Sequence, residues 1–225
     1  MAPCEPERPR ERLVEHLLAT LSLDWSDPPP DVQRLLQRVS ALPWAPDTSH
    51  EAYLERVDGP AHADPAREAR YREALVEVRG LADRGAALDL PLVTRVQGLV
   101  LGRPAAFRRG AALARGGREA YALFPELEAM LRRKLRVDAA DGCHPLVQAC
   151  RLYLDLIFVH PFEDGNARAA RMWWEFLLRR ARTCGPRIEE LVRWGKVPGD
   201  AAAAWRLVRF AAQRALARHG CAVQA

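Results

Sequence analysis

The sequence predicts an all-α fold, and three observations carry that prediction. Apolar residues recur at helical spacing along nearly the whole chain. Cap and stop residues bracket the apolar stretches, among them Asp64-Pro65, Asp89, Gly102, Gly185-Pro186 and Gly220. Only one segment, Phe107 to Phe124, breaks the pattern. With 225 residues, 49% hydrophobic and 28% charged, the chain suits one sizeable domain or a domain with an appendage. A disordered tail, a fibre and a membrane bundle are excluded as main readings.

The elements follow in order. Leu13, Val14, Leu17 and Leu18 open a short helix that fades before Asp27 and Pro28-Pro29-Pro30. Val32, Leu35, Leu36, Val39 and Leu42 stripe a second helix. Pro43 to His62 is rich in Pro, Asp and Gly and reads as a linker. Asp64 caps the next helix with Pro65 at its first position, and Gly85 ends it. Asp89 and Gly102 bracket another, and further helices are expected over 125–136, 145–159, 167–183, 187–193 and 201–219. In the exceptional segment, Arg115-Gly116-Gly117-Arg118 between partly apolar arms signals a hairpin. The arms are rich in alanine, a poor strand former, so a small isolated hairpin or an ordered loop are both open there.

Lys+Arg number 34 against 29 Asp+Glu, a net charge of +5, and all the cations except Lys134 and Lys196 are arginine. The skew, with abundant alanine, reads as genome composition rather than a nucleic-acid code, and leaves a weak pull toward phosphates. The five cysteines form no C-x-x-C pair and are odd in number. That fits a reducing compartment and argues against a zinc site or a disulfide framework. The N-terminus has no apolar signal core, and no run of about 18 apolar residues occurs. A cytosolic protein without a membrane span is expected, or an effector exported by a route that needs no such signal.

The chemistry concentrates in His160-Pro161-Phe162-Glu163-Asp164-Gly165-Asn166-Ala167-Arg168-Ala169-Ala170-Arg171, a polar stretch between two apolar helices. His160 is able to take a proton near neutral pH. Asp164 is a hard oxygen ligand suited to Mg²⁺. Gly165, Asn166 and Ala167 enter a helix N-terminus, where backbone N–H groups and the helix dipole favour anions. Arg168 and Arg171, three apart, share a face of the first turn and suit phosphate oxygens. A base, a metal ligand, an anion nest and two arginines together describe phosphoryl or nucleotidyl transfer.

These residues resemble the signature of the Fic family, HxFx(D/E)GNGRxxR, at His160, Phe162, Asp164, Gly165, Asn166, Arg168 and Arg171. In architecture the resemblance runs from about Asp64 to about His219. It implies a Fic-type helical core over residues 63–225, with a hairpin flap at about 107–124 and an N-terminal helical extension over 1–62. It implies transfer of AMP from ATP, with Mg²⁺, to a hydroxyl of a target protein. His160 would be the base, Asp164 would hold the metal, and Gly165, Asn166 and the backbone at Ala167 would form the anion hole. Arg168 and Arg171 would hold phosphate oxygens, Phe162 would face the core, and the flap would pin the target chain. Ala167 stands where the family usually has glycine, and Doc-type relatives with phosphotransferase activity carry lysine there. The inhibitory pattern (S/T)xxxE(G/N) is missing, since no Glu-Gly or Glu-Asn dipeptide occurs. Inhibition by a separate protein, or regulation by other means, is the expectation.

Simpler roles compete at each position. Asp164 also suits an N-cap. Arg171 has Glu175 one turn on, an i,i+4 pair worth about 0.2–0.5 kcal/mol. Arg132-Arg133-Lys134 with Arg136 reads as a solvated helix face, and the tryptophans as core. His16, His50, His62, His144 and His219 receive no functional role. Besides AMP transfer, two alternatives remain. One is a same-fold transferase of UMP, phosphate or phosphocholine. The other is a binding protein without turnover for a nucleotide, or for nucleic acid, which has least support because no nucleic-acid motif appears. Neither nucleic acid nor membrane is expected as a partner.

Overall fold

The computed structural model describes residues 23–47, 49–50, 64–114, 119–121, 123, 126–140, 142–194 and 201–221. The helix expected around Leu13–Leu18 and the boundary drawn at 62/63 lie outside these residues. Among the described residues there are eight helices and one strand pair. They are α1 Pro30–Ser40, α2 Pro65–Asp83, α3 Leu90–Leu101, β1 Ala112–Ala114, β2 Glu119–Tyr121, α4 Leu127–Ala140, α5 Pro145–Val159, α6 Asn166–Arg180, α7 Ile188–Arg193 and α8 Ala201–Arg218. The all-α architecture is the one the helical periodicity predicts.

The caps behave as their chemistry dictates. Asp64 accepts from the N–H groups of Ala66 and Arg67, and Asp89 from that of Leu92. Each helix has proline in its first turn, where an N–H would lack a partner. Gly102 ends α3 in the left-handed conformation. His144 caps α5: its Nδ1 accepts from Leu146 N–H, so the other ring nitrogen carries the proton and lies 3.0 Å from Ser40 Oγ. This bond ties α1 to the start of α5.

The core is built around the antiparallel pair α5 and α6, joined by the loop 160–165. α5 is apolar nearly all round and buried on most of its surface, as a central helix must be. α6 places Trp173, Trp174 and Phe176 inside and packs also on α2 and α3. α8 covers α5 and receives the Val32, Leu35, Leu36 and Val39 stripe of α1. Trp25 meets Trp205 with ring centroids 5.4 Å apart, so residues before α1 join the same core.

Two expectations are corrected. Lys134 is not on a solvated face: it is buried and bonds Asp155 Oδ2 at 2.7 Å across α4 and α5. It follows Leu131 by three and precedes Leu135, and so lies on the apolar stripe of α4, while Arg132, Arg133 and Arg136 are exposed. In the segment Pro43 to His62, read as a linker, the described residues 43–47, 49 and 50 include ones that pack into the fold. Cys184 Sγ donates to Pro43 O, Ser49 Oγ accepts from Ile188 N–H at 2.9 Å, and His50 is fully buried.

β1 and β2 pair antiparallel, with Ala112 opposite Tyr121 and Ala114 opposite Glu119. Residues 115–118 between them lie outside the described residues.

Candidate active site

The loop between α5 and α6 is fixed from both ends. His160 terminates α5 in the left-handed region, at φ 48° and ψ 60°. That backbone is uncommon for a residue with a Cβ and turns the chain sharply out of the helix. Phe162 is fully buried, its ring 4.9 Å from Phe107, and the two residues form a β-bridge. Arg108 N–H donates to Pro161 O at 3.1 Å. Asn166 then staples the loop from within. Its Oδ1 accepts from Phe162 N–H at 2.9 Å and its Nδ2 donates to Phe162 O at 2.8 Å. Asn166 is therefore held in place by both its side-chain oxygen and nitrogen, and its backbone N–H lies at the start of α6.

Gly165 is required on two grounds. Its φ is +79°, and an added Cβ would lie 2.7 Å from Gln97 Nε2 and 3.3 Å from Val100 and Leu101 side chains. Gln97, fully buried in α3, in turn donates to Asp164 O. A buried glutamine on the apolar face of a helix is the signal that a polar contact waits there.

An open cleft of about 230 Å³ results, lined by His160, Asp164, Gly165, Ala167, Arg168 and Arg171 of the loop and α6, with Arg67 of α2. The structure thus brings together every site residue named from the sequence. His160 Nδ1 lies 2.5 Å from Ile157 O. A carbonyl only accepts, so Nδ1 carries the proton and the neutral ring keeps its lone pair on Nε2. Asp164 is two-thirds exposed (66%). Its Oδ1 accepts from Gly165 N–H at 2.6 Å and its Oδ2 from Arg168 at 3.1 Å. The N–H groups of Asn166, Ala167 and Arg168 precede the first α6 bond, Ala169 N–H to Gly165 O. Ala167 is exposed, and its φ is negative as in any ordinary helix.

Positive charge is concentrated here. Arg168 is buried, its Nη1 bonding Val100 O at 3.3 Å. Burial, then the neighbouring Arg67 charge, pulls its guanidinium below its ordinary value, with Asp164 opposing and Arg171 and Arg70 adding to the pull. Arg171 Nε donates to Ala167 O at 3.0 Å.

Several participants were not singled out from the sequence. Arg108 is buried and donates to four carbonyls: His160 O at 2.6 Å, Gly110 O at 2.8 Å, and Val159 O and Tyr121 O at 3.1 Å. Tyr121 of β2 stacks on the His160 ring at 3.9 Å between centroids, 19° from parallel. Glu175, expected opposite Arg171, is buried with Arg79 and His50 as its observed partners, His50 Nε2 lying 3.1 Å from Oε2. Glu163 is solvated as expected, and reaches Arg103 at 3.2 Å.

The donor set suits Mg²⁺ only in company. No group of three or more His, Cys, Asp or Glu that would hold a metal occurs among the described residues. One exposed carboxylate beside a cationic wall fits an ion that arrives with phosphate oxygens and keeps much of its water. No described helix is long and apolar enough to cross a membrane.

Residues 92–178 match the Fic/DOC family. No curated protein matches the chain in sequence. Solved structures share the fold. IbpAFic2 is 14% identical, with 90% of this chain and 75% of that chain covered at a TM-score of 0.60. A His-to-Ala variant of IbpAFic2 in complex with adenylylated Cdc42 is 15% identical, covering 93% and 76% at 0.58. A Fic-domain-containing signalling protein from Bacteroides thetaiotaomicron is 16% identical, covering 97% and 99% at 0.52.

Proposed function

We propose that this chain transfers AMP from ATP to a hydroxyl side chain of a target protein. One observation carries this: a single cleft holds an imidazole with its lone pair on Nε2, a carboxylate, a helix N-terminus and two buried arginines. A family match over residues 92–178 supports it, as does a neighbour in fold bound to an adenylylated target.

His160 Nε2 takes the proton of the target hydroxyl, and that oxygen attacks the α-phosphorus of ATP. The bond from the α-phosphorus to its bridging oxygen breaks, and pyrophosphate leaves. Arg168, Arg171 and the first N–H groups of α6 hold phosphate oxygens whose charge grows as the bond breaks. Asp164 would hold Mg²⁺, which supplies charge neutralisation on the phosphates. On binding, Arg168 exchanges part of its bond with Asp164 for phosphate, which suits a carboxylate that must turn to a metal. The β1–β2 pair beside His160 would seat the target chain, and residues 1–62 would form an extension to a transferase unit over 63–225.

Incubation with ATP labelled at either the α- or the γ-phosphate tests this, with self-modification read by mass spectrometry. Protein-bound label from the α-phosphate is the expected result. Label from the γ-phosphate alone would mean phosphotransfer, and binding without either label would mean a nucleotide-binding protein without turnover.

A further inference from the structure

Arg67 stands apart from the signature, more than ninety residues upstream, in the first turn of α2. A cation is unfavourable there, because it faces the positive end of the helix dipole. Yet its side chain lines the same cleft as Arg168 and Arg171. Three arginines thus line one cleft, and the charges of Arg67 and Arg171 bear on Arg168 against a single opposing carboxylate, Asp164.

The two signature arginines already have protein partners: Arg168 bonds Asp164 and Val100 O, and Arg171 bonds Ala167 O. Arg67 differs. Its Nε is buried with no hydrogen-bond partner. Neither Asp164 nor Glu163, the acids in the cleft, has Arg67 as its observed partner: they meet Arg168 and Arg103. A buried N–H left unpaired is costly, the more so on a charged group. The arrangement makes sense when an anion with several oxygens fills the cleft and accepts from Arg67.

We propose that Arg67 is a phosphate-binding residue of this site, a third guanidinium that grips the phosphate chain of the bound nucleotide and makes affinity depend on the length of that chain. This rests on the reading of the cleft as a nucleotide site. It does not depend on which phosphate is attacked. Arg67 forms no bond to His160 or to the loop, so its role lies in holding the ligand. A guanidinium forks onto two phosphate oxygens where a lysine offers a point charge.

Calorimetric titration with ATP, ADP, AMP and inorganic tripolyphosphate, all with Mg²⁺, tests it in the full chain and in Arg67→Met and Arg67→Lys. Arg67→Met is expected to weaken ATP and tripolyphosphate about tenfold or more and AMP by less than twofold, so that the preference for longer chains narrows. Arg67→Lys should recover part of that loss. Melting without ligand shows that each variant folds, and Arg67→Met, freed of repulsion, should melt no lower than the wild type. Equal affinities of wild type and Arg67→Met for ATP and tripolyphosphate would overturn the proposal, as would equal weakening of AMP. The labelling experiment separates the two readings. Arg67-dependent phosphate binding without α-label would sink AMP transfer alone, whereas α-label with unchanged affinity in Arg67→Met would sink the role of Arg67 alone.

Discussion

Ala167 is the one position where the loop departs from the signature it resembles, and its geometry says what that departure would mean. It is the second residue of α6, exposed, with an ordinary negative φ. Backbone N–H groups at a helix start bind anions whatever side chain follows, provided the methyl points outward. Ala167→Gly is therefore expected to leave nucleotide affinity unchanged and to lower stability by up to about 1 kcal/mol, as helix propensity dictates. Single-turnover rates compare the two proteins. A tenfold faster transfer with glycine, about 1.4 kcal/mol of barrier, would mean that the methyl narrows the anion hole. His160 makes the complementary case. Its ring is oriented by Ile157 O and covered by Tyr121, while the arginines proposed to hold phosphate belong to α6 and α2. His160→Ala should lose roughly 10²- to 10⁴-fold in transfer, the usual share of a general base. Nucleotide affinity, measured by calorimetry, should stay within a few fold of the wild type. Near-normal transfer by this variant would remove His160 from the chemistry.

At the scale of elements, a buried side chain couples the strand pair to the loop 160–165. Arg108 spends its donors on His160 O and Val159 O on one side and on Gly110 O and Tyr121 O on the other. Burial pulls its guanidinium below its ordinary value. Its bonds to four carbonyls tie the left-handed turn at His160 to the position of β2. Arg108→Ala strands those acceptors and lets Tyr121 drift from the imidazole. It is expected to lower kcat at least tenfold while leaving the affinity for ATP within about twofold, because its bonds are to the loop and not to the phosphate wall. Arg108→Lys should restore little, since an ammonium cannot span four carbonyls that a planar fork reaches. A loss confined to nucleotide affinity would place Arg108 with the phosphates instead.

Across the whole molecule, what was legible in the sequence is what is local. The loop 160–171 is contiguous, so its chemistry could be read directly, and the caps at Asp64, Asp89 and Gly102 mark helix ends from their own side chains or lack of one. The partners that come from afar could not be read so. Gln97, Arg108 and Tyr121 reach the loop from α3, the segment before β1, and β2, Arg67 reaches the cleft from α2, and nothing in their local sequence names that destination. Lys134 was misplaced for the same reason: its charge suggests solvent until Asp155, twenty-one residues on, is brought opposite it. His50 is the furthest such case and gives a global test. It is fully buried, near the Tyr71 hydroxyl at 2.9 Å, Glu175, Arg79 and Arg171. Burial first, then the Arg79 and Arg171 charges, holds its imidazole down to about 3, against 6.5 for an ordinary histidine. Neutral His50 then shares a hydrogen bond with the Tyr71 hydroxyl at Nδ1, while Nε2 lies 3.1 Å from Glu175 Oε2 without hydrogen-bond geometry. Because the folded-state value is depressed, the unfolded chain binds the extra proton between pH 6.5 and 3. Stability present above 6.5 is therefore lost as the pH falls through that window, at most about 1.4 kcal/mol per pH unit. His50→Gln keeps a donor and an acceptor but does not titrate. It should be less stable than the wild type at pH 7, and that deficit should shrink by up to about 3 kcal/mol by pH 4, by the same linkage. Urea melts of both proteins at pH 7, 5.5 and 4 measure it. A deficit that stays constant with pH would mean that His50 takes up its proton inside the fold, with Glu175 as its counter-ion.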